Sequence, residues 1–262
     1  MATVLVTGAT GTLGRAVVRR LLADGYTARA LSRQPQVALP AGAELVAGDL
    51  TRSADLAQAL AGMDAIIHCA TDPKRAQEID VEGTRHLLEV AHSAAPHLIY
   101  PSIVGIEHSA YPYYLAKRAA ERWIEQGPLP WSVLRATQFH SFVAWLIQSF
   151  GADTGDEVVI PEGMRFQSID VREVAAQLVS LVERGPVGRD ADIGGREILT
   201  FDAMAAAYLR IRGRTTTIRS ATLSGDLYDV LRSGVNLTPN QARSTVTWNA
   251  WLQRHYSSDA MG

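Results

Sequence analysis

The 262 residues, 47% hydrophobic and 20% charged, have the length and balance of one large α/β domain carrying a small appendage. A net charge of −2 gives no reason to expect nucleic acid or an acidic membrane surface as a partner, and no apolar run approaches the ~20 residues that a membrane helix needs. The lone cysteine, Cys69, rules out an internal disulfide, and no basic leader with an apolar core opens the sequence, so a cytoplasmic protein is the expectation.

The first 135 residues alternate short β-branched runs with amphipathic stretches. Thr3–Thr7 reads as a buried strand, followed by a glycine-rich turn and a helix over residues 13–23. Val17, Val18, Leu21 and Leu22 share one face of that helix, and Gly25 stops it. Strands are expected at Thr27–Ser32, Glu44–Ala47, Ala65–His68, 98–100 and 132–135, with helices over 55–60, 77–92 and 113–126. This is the pattern of a Rossmann-type α/β fold, a doubly wound parallel sheet. After Arg135 the rhythm breaks. Helices are expected over 139–150, 170–183, 203–212, 223–234 and 248–255, and short strands over 158–160, 166–169 and 197–200. Residues 136–262 should form a smaller, interleaved substrate-binding lid, with about 166–200 returning to the Rossmann domain.

The first strand runs into Gly8-Ala9-Thr10-Gly11-Thr12-Leu13-Gly14 and on into a helix. Gly8 suits the tight turn, Gly11 the close approach of a pyrophosphate, and Gly14 close helix–strand packing. The helix start, with Thr10, Thr12 and Leu13, offers free N–H groups to the anion. About 20 residues on, where a carboxylate would select NAD(H), stands Arg33, whose fork of donors suits the 2′-phosphate of NADP(H). Asp49 and Leu50 follow the third strand, at the adenine edge; Asp49 reads equally well as a helix cap. Ala70 and Thr71 follow the fourth strand, where the chain passes beneath the cofactor. His68 reads as the end of a buried strand and Cys69 as a small buried residue; no second ligand at metal spacing accompanies His68.

VTGATGTLG, GDL, HCAT, SIVGIE, YYLAK and LRATQF stand in the order expected of short-chain dehydrogenase/reductases, and the chain resembles their atypical, NmrA-like members over residues 1 to about 200. The ending TWNAWL is similar to bacterial members of that group. The resemblance implies a Ser, a Tyr and a Lys acting together: Ser102 to orient a substrate oxygen, Tyr113 as general acid, and Lys117 to lower the phenol's pKa and hold the cofactor ribose. Tyr113 and Lys117 stand four apart on a helix, although Tyr114 also neighbours Lys117 and leaves the register open. The backbone of Ala136 and Thr137 should approach the nicotinamide, and Gln138, Phe139 and His140 should begin the stretch that faces substrate; His140 reads also as a core histidine. Trp248 and Trp251 are expected to anchor the last helix.

The function implied is NADPH-dependent reduction of a small, partly apolar carbonyl, imine or enone by hydride transfer. A non-catalytic NADP(H)-sensing regulator is the alternative. A sugar-nucleotide epimerase-like enzyme is third, since a second nucleotide wants a larger C-terminal region. A homodimer through the helices flanking the fifth strand would suit the superfamily.

Overall fold

The computed structural model describes residues 2–256. The chain begins with β1 (Thr3–Thr7), α1 (Thr12–Ala23), β2 (Thr27–Ser32), β3 (Glu44–Ala47), α2 (Ser53–Leu60) and β4 (Ala65–His68). A π-helical turn, Gln77–Glu82, leads into α3 (Gly83–Ala91), followed by β5 (His97–Ile103), α4 (Pro112–Gln126) and β6 (Trp131–Ala136). Then come α5 (His140–Ser149), β7 (Glu157–Pro161), β8 (Arg165–Phe166), α6 (Val171–Arg184) and β9 (Gly188–Arg189). The last elements are β10 (Leu199–Thr200), α7 (Phe201–Ile211), β11 (Thr217–Ala221), α8 (Asp226–Ser233) and α9 (Trp248–Tyr256). None of the described helices is long and apolar enough to cross a membrane.

The central sheet has seven strands in the order β3-β2-β1-β4-β5-β6-β9. Its strands carry apolar residues on both faces because helices cover both, and Val4, Leu5, Val6, Ile66 and Ile67 are fully buried. On one side Leu5, Leu31, Ile66 and Leu98 pack with Leu56, Leu87 and Ile124 of the covering helices. The strand order reverses between β1 and β4, whose parallel register sets Thr7 opposite His68 at their carboxyl ends. Open α/β sheets bind ligands at such a switch point, and the glycine turn leaves β1 there.

The chain divides into two units. One comprises the residues up to Ser102 with Pro112–Arg135 and Arg172–Ala191; the other comprises Ile103–Tyr111, Ala136–Val171 and the chain from Asp192 onward. The returning segment is thus narrower than the expected 166–200, because it is α6 and β9 that belong with the sheet, β9 pairing with β6. The second unit has its own core, in which Phe166, Phe201, Tyr208, Trp248 and Trp251 are buried.

Two strands had no sequence signal. β9 is two residues long, and β11 (TIRSA) is mostly exposed and owes its conformation to parallel pairing with β7. The expected strand over 166–169 is only Arg165–Phe166, with an isolated bridge from Ile169 to Phe139. The expected strand over 197–200 is likewise reduced to Leu199–Thr200, and the helix over 223–234 begins only at Asp226.

Candidate active site

β1 ends in a turn that only glycine fits. Gly8 has φ +62°, and a Cβ there would lie 2.6 Å from the backbone nitrogen of Ala70. At Gly14 a Cβ would stand 2.2 Å from the Gly8 carbonyl oxygen, so α1 packs directly onto the turn. Gly11 differs: a Cβ would meet only that same oxygen, at 3.3 Å, and open space otherwise. Gly11 is the N-cap of α1 without a side-chain cap, no acidic residue stands in the first turn, and Thr10, Gly11 and Thr12 are exposed while Leu13 is half-buried. A helix start with uncapped N–H groups and one residue's width of bare backbone is the cradle that a pyrophosphate requires, so these residues fit a dinucleotide.

Arg33 is exposed just beyond β2. Burial would raise the nearby Asp49 carboxyl, but the Thr51 N–H (2.9 Å) and hydroxyl (2.8 Å) bonded to it, with Arg33 and Arg75 close by, hold it below the ordinary carboxylate range. Asp49 therefore closes a turn before α2, and one of its oxygens is committed there. The Leu50 side chain is in the core against Gly83, which leaves only its backbone for any ligand.

At the end of β4 a buried polar chain locks the next loop. Thr7 Oγ1 and His68 Nδ1 are 2.6 Å apart, His68 Nε2 lies 3.1 Å from Thr84 Oγ1, and the Ala70 N–H donates to Thr7 Oγ1 at 3.2 Å. Burial, aided by the Lys117 charge, pushes the His68 imidazole down to about 3. An unfolded histidine titrates near 6.5, so between those values the unfolded chain binds a proton that the folded one refuses. Stability from this site is whole above pH 6.5 and drains as pH falls toward 3. Urea midpoints should show about 2 kcal/mol of loss at this site on going from about pH 7.5 to pH 5. A His68→Gln variant that loses as much as the unmodified protein would refute the assignment. Burial drives the Cys69 thiol up to about 12, which leaves it no role as a nucleophile at neutral pH.

Thr71 begins the second half of the site. Its hydroxyl donates to Asp80 Oδ1 at 2.7 Å and lies 2.8 Å from the Tyr113 hydroxyl. Asp80 is fully buried in the π-helical turn Gln77–Glu82, where the Asp72 N–H also donates to it at 3.3 Å. Tyr113 and Lys117 are one turn apart on α4. The Lys117 ammonium is buried, donates to the Pro101 carbonyl at 2.9 Å, sits 3.9 Å above the Tyr100 ring and lies 3.9 Å from Asp80 Oδ1. Burial lowers Lys117 from its ordinary value, while Asp80 acts to raise it. Tyr114, the other candidate in the register, is buried, whereas Tyr113 is half-buried with its hydroxyl on Thr71.

One turn beyond Lys117, the buried Glu121 takes a fork of bonds from Arg135 of β6 at 2.9 and 2.8 Å, which fixes α4 against the sheet. Burial would raise the Glu121 carboxyl; the Arg135 bonds, the nearby Ser102 hydroxyl and the Arg135 and Arg189 charges together keep it below the ordinary range. Ser102 is buried beside Glu121, so the hydroxyl seen on the Tyr113 phenol is that of Thr71.

The remaining expected residues lie in the second unit. Ala136 bridges to Ile193, and the Thr137 hydroxyl donates to the Gln167 carbonyl at 2.5 Å, so what both offer a ligand is backbone. Gln138 Oε1 accepts from Asn236 at 3.2 Å, and Phe139 is the N-cap of α5. His140 is 1% exposed, bonded to Ser168 at 2.8 Å and flanked by the Trp248 and Trp251 rings, each 5.7 Å away. That is the core reading of His140, and it corrects its place among substrate-facing residues.

Asp80 was absent from the expected site. Its one signal was a carboxylate set between Ile79 and Val81, four residues before Thr84, in a stretch otherwise patterned as a buried helix face.

A family model described as NAD(P)H-binding matches residues 8–184, more than half of the chain. A (4-alkanoyl-5-oxo-2,5-dihydrofuran-3-yl)methyl phosphate reductase from Streptomyces griseus is 31% identical over 80% of this chain and 74% of its own length. The photosystem II assembly factor Ycf39 of Guillardia theta is 29% identical over 84% of this chain and 73% of its own. Escherichia coli NADPH-dependent quinone oxidoreductase QOR2, solved with NADPH, shares the fold with a TM-score of 0.79 at 18% identity, over 96% of this chain and 99% of that one.

Proposed function

Because this chain belongs to the NAD(P)H-binding family, with the atypical short-chain dehydrogenase/reductases that its motifs resemble, we propose that it is an NADPH-dependent reductase of a small, partly apolar carbonyl, imine or enone. One observation carries this reading. The glycine turn abuts Ala70, and the next residue, Thr71, holds the Tyr113 phenol one helical turn from the buried ammonium of Lys117. A phosphate cradle and an acid–base pair are thus joined through two consecutive residues. The reductase relative supports the same reaction class.

In this reading Gly8, Gly11 and Gly14 with the start of α1 hold the pyrophosphate, Arg33 meets the 2′-phosphate, and Lys117 reaches the nicotinamide ribose. The bound nicotinamide supplies the hydride. Tyr113 gives its proton to the oxygen or nitrogen on which charge develops, and Lys117 favours the phenolate left behind. Ser102, from its place beside Glu121, serves α4 as packing.

A charge-assisted bond to Arg33 is worth about 1.5–3 kcal/mol, so NADPH should bind roughly ten- to a hundredfold tighter than NADH. Arg33→Asp should erase or invert that ratio. Equal affinities in calorimetric titration of the unmodified protein would remove Arg33 from the site. The reaction itself is tested by NADPH oxidation across a panel of ketones, imines, enones and quinones. The Ycf39 relative, an assembly factor, favours a second reading in which the cofactor is bound and not turned over. Tight NADPH binding with no oxidation on any member of that panel would establish it over the first.

A further inference from the structure

The Tyr113 phenol does not stand alone: its oxygen is 2.8 Å from Thr71 Oγ1, which is 2.7 Å from Asp80 Oδ1. A threonine hydroxyl both donates and accepts, so these three oxygens form one continuous hydrogen-bonded chain, half-buried at Tyr113 and fully buried at Asp80. We propose that Thr71 and Asp80 form a proton wire behind Tyr113, with Asp80 storing the proton that replaces the one given to substrate. The proposal rests on the reading of Tyr113 as proton donor.

The step balances with no further reactant. As hydride reaches the substrate carbon, the Tyr113 O–H bond breaks and the substrate O–H bond forms. With Asp80 as the acid, the Thr71 hydroxyl, which donates to the carboxylate form, turns to donate to Tyr113 and accepts from Asp80; its proton then passes to the Tyr113 oxygen, and the Asp80 proton passes to Thr71. Asp80 is left as a carboxylate 3.9 Å from the Lys117 ammonium. Once product has left and water reaches Tyr113, a proton returns along the same three oxygens.

The surroundings of Asp80 suit both of its charge states. Burial, the largest influence, and the Asp72 charge favour the acid, while Lys117 of α4, the Thr71 hydroxyl and the Asp72 N–H favour the carboxylate, with the net effect upward from the ordinary carboxyl value. Tyr100 of β5 and Tyr113 of α4 are the remaining titratable groups facing it, Tyr113 through Thr71. Its position follows from the π-helical turn, in which the ladder takes in one extra residue; such turns recur at functional sites. Thr71 and Asp80 are positioning residues in this scheme, since they act through Tyr113.

The decisive comparison is Thr71→Val against Thr71→Ser. Valine keeps the shape and breaks the wire; serine restores the hydroxyl. Tyr113 ionisation is read without cofactor or substrate, as the ultraviolet difference titration of each protein against its own Tyr113→Phe counterpart. Thr71→Val should move that ionisation by about one pH unit or more, and Thr71→Ser should return it. With NADPH and menadione, Thr71→Val should lose about tenfold or more in turnover at unchanged KM for NADPH, with serine recovering most of it. Asp80→Asn, which keeps the bond to Thr71 and removes the stored proton, should flatten the pH profile of turnover. The same Tyr113 titration in the valine and serine variants would overturn the wire, even where Tyr113→Phe abolishes turnover and the reductase reading stands. Full turnover in Tyr113→Phe would instead sink the reductase chemistry assigned to Tyr113, and the wire as a catalytic device with it.

Discussion

Tyr113→Phe is expected to lower turnover by about 10²–10⁴-fold while leaving NADPH affinity within a few-fold of the unmodified protein. The asymmetry follows from what the hydroxyl does. Hydride delivery leaves charge on the substrate heteroatom, and a proton donor held at that atom removes the charge as it forms. The ring is not needed to hold a dinucleotide, whose expected contacts are the glycine turn, Arg33 and Lys117. Tyr114→Phe is the control, since Tyr114 is buried and its neighbour carries the bond to Thr71. Stopped-flow measurement of NADPH oxidation, paired with fluorescence titration of NADPH, separates the two effects. If Tyr114→Phe abolishes turnover and Tyr113→Phe does not, the chemistry moves by one residue along α4.

The second large effect concerns two glycines three residues apart that should fail in different ways. Gly11→Val should abolish measurable NADPH binding in a protein that still folds. A Cβ there meets only the Gly8 oxygen at 3.3 Å, with open space beyond, so a branched side chain should be accommodated by the protein and fill the space a pyrophosphate needs. Its cost to the fold is about 1 kcal/mol, the difference between a good and a poor N-cap residue. Gly14→Ala should behave oppositely. Its Cβ would stand 2.2 Å from the Gly8 carbonyl, against backbone with no flexible end, so the turn and α1 must separate. A loss of about 1–3 kcal/mol is expected even before cofactor is added. Calorimetry for binding and thermal melting for stability read the pair; a Gly11→Val protein that binds NADPH normally would show that the phosphates sit elsewhere.

What was legible beforehand follows the kind of force involved. The first four strands stand at their expected residues because each is a short apolar run bounded by turn residues. The glycine turn was legible because backbone geometry alone dictates it. Tyr113 and Lys117 were legible as a pair because four residues make one helical turn. Asp80 escaped because its place beside Lys117 of α4 and Thr71 of the loop after β4 is set by tertiary packing, which no local pattern carries. β11 escaped for the same reason, its partner β7 lying some 60 residues away. His140 was ambiguous in sequence and is settled by Trp248 and Trp251, more than 100 residues later in the chain.

The chain passes between the two units after residues 102, 111, 135, 171 and 191. This bears on how the protein is made. A ribosome delivers the glycine turn, Tyr113 and Lys117 well before α6 and β9, which complete that unit and emerge only with Ala191. Until then β6 offers an open strand edge, the kind of surface on which nascent chains pair wrongly. Translation pausing shortly after residue 135 should therefore favour aggregation, and pausing after residue 191 should favour recovery of the folded protein.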